Sequence, residues 1–191
     1  MTFLPLLILC ILLALAVWND LRTRRIPNSL VFGGALLGLL LNAALPAGDG
    51  LFIQVFGGIG LLKALAGLAV GLCLLLPMYA MRALGAGDVK LMAMIGAFVG
   101  PGAVAGITLL TLLAGGVLAL VVAGFNGRLK PMLYNTWHMI KYSMLRSLAG
   151  EVPKMDAPAA ASGRLPYAVA IAAGAAPYLI VGASSGRSLF F

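Results

Sequence analysis

The chain has 191 residues, 62% of them hydrophobic and only 9% charged, where a soluble domain averages about 45–50% and 25%. Its mean hydropathy of +1.09 represents more apolar side chain than one core of this size can hide, which excludes an ordinary soluble domain, a disordered chain and a disulfide scaffold. The net charge of +8 comes from thirteen Lys and Arg scattered singly or in short groups, mostly at the edges of hydrophobic runs, which is the pattern of membrane orientation and not of nucleic-acid binding.

A bilayer crossing takes roughly 20 residues, so this length holds about six transmembrane helices, with loops too short for a second domain. The first span is expected at about 2–18; it lacks a basic n-region and an A-x-A site, and so reads as retained. A polar stretch, 19–28, carries Asp20, Arg22, Arg24 and Arg25. The second span, about 29–45, ends in the turn-forming run Pro46-Ala47-Gly48-Asp49-Gly50. Residues 51–62 are apolar but glycine-broken, suggesting an interfacial or re-entrant piece. A third span covers about 63–81, and the connection 82–90 leads to a short apolar run, 91–99, stopped by Gly100-Pro101-Gly102. Ten or so residues reach only about 15 Å, so that run needs the residues before it to cross. A fifth span, about 103–125, precedes a long polar segment, 126–164, and the last span is about 165–182.

The connections 19–28, 82–90 and 126–164 hold cations, whereas 46–50 and 100–102 hold none. This alternation is expected of six spans with both termini outside and Asp20, Asp88 and His138 on the cytoplasmic side. Glycine pairs Gly34/Gly38, Gly67/Gly71, Gly96/Gly100 and Gly102/Gly106 have the spacing that lets helices approach closely in lipid. Leu133, Trp137, Ile140, Met144 and Leu148 form a helical stripe beside Lys141 and Arg146, predicting an amphipathic helix on the inner surface. Ala157-Pro158-Ala159-Ala160-Ala161 reads as a linker. Cys10 and Cys73 form no CxxC pair and suggest neither a disulfide nor a zinc site.

Only five acids occur. Asp49, Glu151 and Asp156 sit in turns or polar loops. Asp20 and Asp88 each lie at the inner end of an apolar helix, on the same side of the membrane. A juxtamembrane Asp beside arginines is ordinarily an interfacial anchor or salt-bridge partner. Two carboxylates converging at one depth cannot both ionise cheaply, however, so one keeps a proton while the other serves as base. An aspartic peptidase needs that arrangement. Gly85 and Gly87 bring side-chain-free backbone up to Asp88, where a substrate strand can approach.

Gly85-Ala86-Gly87-Asp88-Val89-Lys90 resembles the GxGD motif of the type IV prepilin peptidases. Asp20, followed by Arg25-Ile26-Pro27-Asn28, resembles that family's first catalytic aspartate and its Ile-Pro-Asn continuation. Pro166-Tyr167-Ala168-Val169-Ala170 is similar to the family's Pro-Tyr/Phe-Gly-x-Ala helix start, with Ala168 in the place of glycine. The two aspartates stand 68 residues apart. The resemblance implies catalysis by Asp20 and Asp88, with Gly85, Gly87, Lys90, Pro27 and Asn28 in support and no metal or cofactor. It further implies a prepilin substrate, with a short basic leader and a hydrophobic helix, cleaved at the cytoplasmic face of the bacterial inner membrane. Longer members carry an N-terminal insert with paired CxxC motifs and an N-methyltransferase activity. Here the first aspartate directly follows the first span, so a single peptidase domain of the short, tight-adherence (Flp-type) form is expected.

Other chemistries find less support. His138 is the sole histidine, so His-Glu-x-x-His is missing, and the pair Ser184-Ser185 lies at the opposite membrane face. No GxxxxGK[ST] loop occurs. A small carrier or proton relay using intramembrane Asp is the alternative, although no repeated halves support it. From its neighbour position, Lys90 is expected to favour the charged form of Asp88.

Overall fold

The computed structural model describes residues 3–51, 57–81, 83–125, 127, 129–148 and 166–185. Among the described residues seven helices follow in order: α1 (Phe3–Thr23), α2 (Asn28–Ala44), α3 (Leu61–Ala80), α4 (Ala86–Val99), α5 (Pro101–Phe125), α6 (Leu129–Leu148) and α7 (Tyr167–Ser185). The protein is all-helical: among the described residues the only β-type pairings are two isolated bridges, Ala47 with Gly58 and Gly50 with Gly57. By length and composition, three helical segments among the described residues can cross a membrane, Leu4–Thr23, Leu61–Ala80 and Pro101–Phe125. Asn28–Ala44 and Tyr167–Val181 are apolar but shorter.

Two compact units divide the chain, 1–115 with 166–191, and 116–165. In the first, α4 is the central element. Val89, Leu91, Met92, Ala93, Met94, Ile95, Gly96, Ala97 and Phe98 are all buried, as expected for a helix apolar on every side. At 14 residues α4 is about 20 Å long. It tolerates that length because α2 and α3, not lipid, surround it.

Small residues make this possible. On α3 the buried stripe is Ala64, Gly67, Gly71 and Leu75. A Cβ on Gly67 would fall on the Gly96 carbonyl, and one on Gly96 would fall on the Gly67 carbonyl, so the two backbones touch there. A Cβ on Gly71 would lie 2.6 Å from the Met92 carbonyl oxygen. On α2, Gly34 receives the Met94 sulfur and Gly38 receives the Phe98 ring. The expected close-packing glycines of α2 and α3 therefore meet α4. Gly102 differs: a Cβ there would meet nothing within 4 Å.

Far from the N-terminus of α4, Asn42 ties three segments together. It continues the buried α2 stripe of Val31, Gly34, Ala35 and Gly38. Its Nδ2 donates to Ala97 O at 2.9 Å and Phe98 O at 3.2 Å, and its Oδ1 accepts from Ile59 N at 3.1 Å. Those carbonyls belong to the last turn of α4, which has no intrahelical donors left for them. Gly58 N in turn donates to Pro46 O at 2.8 Å. The described part of 51–62 before α3 is thus non-helical backbone folded against 46–50; residues 52–56 lie outside the described set.

In the second unit, α6 exposes Tyr134, Trp137, Tyr142 and Leu145. His138 lies between Tyr134 and Tyr142, with ring centroids 4.2 and 5.9 Å away. Of the predicted stripe only the Trp137 side chain is described. Glu151, Asp156 and the predicted 157–161 linker fall outside the described residues.

Candidate active site

α1 does not stop where its hydropathy falls. It runs on through Asn19 and Asp20 to Thr23, so the expected loop residue Asp20 is helical. Pro5, Leu9, Leu13 and Ala16 are buried positions of α1, and Asp20 is the next on that stripe. Its carboxylate is therefore carried inward, and the residue is 8% exposed. The helix closes with Arg24 at φ 54°, its N–H donating to Asp20 O at 2.9 Å. This is the left-handed ending that frees the chain to turn into α2.

The segment expected to support the site makes that turn. Ile26 lies against Gly87, where a Cβ would come within 3.2 Å of Ile26 Cβ. Pro27 is the N-cap of α2, with ψ 133°, the extended geometry that precedes a helix start. The Asn28 Oδ1 accepts from Lys90 Nζ at 2.9 Å. Arg25-Ile26-Pro27-Asn28 thus joins the end of α1 to the beginning of α4.

Asp88 is the third residue of α4 and 9% exposed. Its Oδ2 accepts from Gly85 N at 3.0 Å, while Asp88 N donates to Gly85 O at 3.1 Å. This is the carboxylate half of a capping box, at the helix end where negative charge is favoured. The two glycines have separate reasons. A Cβ on Gly85 would stand 3.2 Å from Asp88 Oδ2, crowding the carboxylate, and one on Gly87 would displace Ile26.

Lys90 does not behave as its position in the sequence suggests. It points to α2, bonding Asn28 and lying 5.3 Å from the Phe32 ring centroid. Two residues along a helix are about 200° apart in rotation, so Lys90 and Asp88 occupy different faces.

Asp20 reaches the first turn of α7. Ala168 N donates to Asp20 Oδ2 at 3.2 Å. The neighbouring Tyr167 lies within electrostatic range of Asp88, and Asp88 within range of Asp20. Beyond the aspartates themselves, the contribution of α7 is main-chain and positional: the Ala168 amide and the Tyr167 ring. A main-chain donor leaves no trace in residue type, and only the helix-start pattern at 166–170 pointed to it. Among the described residues no three His, Cys, Asp or Glu cluster as metal ligands.

A family model, the type IV leader peptidase family, matches residues 7–120, which is 114 of the 191 positions. The chain belongs to that family. The protein is accordingly a peptidase with apolar membrane helices, and the carrier reading is set aside. No curated protein and no solved structure matches the peptidase. The matched region holds α1 to α4 and with them both aspartates; the α7 turn lies beyond it.

Proposed function

We propose that the peptidase cleaves Flp-type prepilin leaders at the cytoplasmic face of the bacterial inner membrane, with Asp20 and Asp88 as its catalytic pair. The observation that carries this reading is the burial of both carboxylates in one compact unit, with Asp20 accepting from the Ala168 amide at the first turn of α7. One aspartate, charged, takes a proton from water as it attacks the scissile carbonyl. The other, neutral, gives its proton to the departing amine. The exposed apolar faces of the helices suit a substrate that is itself a hydrophobic helix with a short basic leader. The lack of CxxC pairs supports cleavage without N-methylation by one peptidase domain. The cation pattern supports six spans, of which α2, α4 and α7 are the shorter ones.

The test is incubation of purified protein with prepilin, read on a gel. Residues acting as a unit lose activity non-additively, so Asp20→Asn, Asp88→Asn and the double variant should be about equally inactive. The exposed Asp49 gives the control: Asp49→Asn should cleave normally. A folded Asp88→Asn protein that still trims prepilin refutes the mechanism. Mass spectrometry of the product should find no added methyl group. Cysteines placed at 23 and 84 in a Cys10→Ser, Cys73→Ser background should react with an impermeant thiol reagent from the same side. Labelling from opposite sides would separate the aspartates.

A further inference from the structure

The Ala168 amide can hold Asp20 only if the first turn of α7 is itself held; beside the packing of α7 on α1 and α4, one contact that holds it is between Tyr167 and α5. A Cβ on Gly115 would lie 2.7 Å from Tyr167 Cε2, 2.8 Å from its hydroxyl and 3.0 Å from Cζ. The ring is therefore seated on bare backbone, in space that any other residue would fill. The same two helices meet again one turn earlier in α5, where a Cβ on Gly174 would come within 2.5 Å of Thr111 N and 2.6 Å of its Oγ1. Thr111 is fully buried, and its hydroxyl has no hydrogen-bond partner among the described residues. This contact is one of shape, without a polar bond to fix it. Two seats, Gly115 under Tyr167 and Thr111 under Gly174, set the register of α7 on α5. The first of them is adjacent to the amide that reaches Asp20 Oδ2.

We propose that Gly115 is a positioning residue of the peptidase: by lacking a side chain it seats the Tyr167 ring, and the seated ring aims the Ala168 N–H at Asp20. The proposal rests on the reading of Asp20 as catalytic. Gly115 touches no substrate; it acts through α7, so a change there should alter the chemical step and not substrate binding.

The experiment measures kcat and KM for prepilin cleavage on detergent-purified, monodisperse full-length protein. Gly115→Ala unseats the ring and lowers kcat about 10- to 100-fold, the loss that a displacement near 1 Å produces, with KM unchanged. Tyr167→Leu adds no bulk to the contact and keeps the chain foldable; it too lowers kcat by losing the anchor. Combined, the two changes are complementary, a methyl filling the space the ring leaves. The double variant is thus faster than either single one, the coupling expected of residues in contact. Gly102→Ala, on the same helix but with open space around its Cβ, keeps the parental rate. Parental kcat in Tyr167→Leu, or a double variant slower than both singles, overturns the positioning role. If Asp20→Asn is inactive in the same assay, that failure belongs to this inference alone. If Asp20→Asn is active, the catalytic pair beneath it has failed.

Discussion

Replacing Asn42 by leucine tests whether polar anchoring at the far end of α4 holds the bundle together. The substitution keeps the number and branching of side-chain heavy atoms while removing every hydrogen bond, and the bulkier methyl groups add to its cost. It removes the donors to Ala97 O and Phe98 O and the acceptor for Ile59 N. With Asn42 only 1% exposed, water does not replace them. Each group left unsatisfied costs about 1–3 kcal/mol, and the added apolar side chain returns about 1 kcal/mol. The expected net loss is therefore at least about 2 kcal/mol. Asn42→Asp should be worse, because it keeps the acceptor for Ile59 but turns negative charge on two carbonyl oxygens. The assay is equilibrium unfolding in mixed detergent micelles followed by tryptophan fluorescence, paired with cleavage per folded molecule. Cleavage should persist, since the change lies about 15 Å along α4 from Asp88. Asn42→Leu within about 0.5 kcal/mol of the parent would refute the reasoning.

Gly96→Ala should cost about 1–3 kcal/mol by forcing α3 and α4 apart. Gly33→Ala, where a Cβ meets open space, should be neutral or stabilising by up to about 1 kcal/mol; the same unfolding measurement compares them. Lys90→Met removes the bond to Asn28 and the contact with Phe32. It should slow cleavage less than tenfold on the gel assay and cost under about 1 kcal/mol of stability. His138→Ala should leave the cleavage rate unchanged, since its ring contacts are with Tyr134 and Tyr142 of its own helix.

Hydropathy located the six apolar helices because runs of this length have few alternatives in lipid, and α6 was legible only from its amphipathic stripe. Hydropathy misplaced the end of α1, since a helix can continue in an interfacial sequence that hydropathy scores as loop. The signal was present in another form: Leu9, Leu13, Ala16 and Asp20 share one helical stripe, as do Val31, Gly34, Ala35, Gly38 and Asn42. A polar residue extending such a stripe is carried into the bundle. Lys90 shows the converse error, because nearness in sequence said nothing about the face it occupies. The part of Gly115 was hidden for a different reason. Thr111, Gly115 and Ala119 share the small-residue spacing of a packing face, but only the fold brings the Tyr167 ring over Gly115.

The backbone contact of Gly67 with Gly96 makes α4 a lever. Its far end is fastened by Asn42, and α3 touches it again where Gly71 meets Met92, so sliding along the axis is blocked and α4 tilts only together with α3. Asp88 stands eight residues from Gly96, about 12 Å along the helix. A tilt of about 5° there swings the carboxylate by about 1 Å, enough to change a reaction rate many-fold. A thinner or thicker bilayer, by altering how α3 and α4 lean, would then be felt as chemistry at Asp88 with no change in any residue near it.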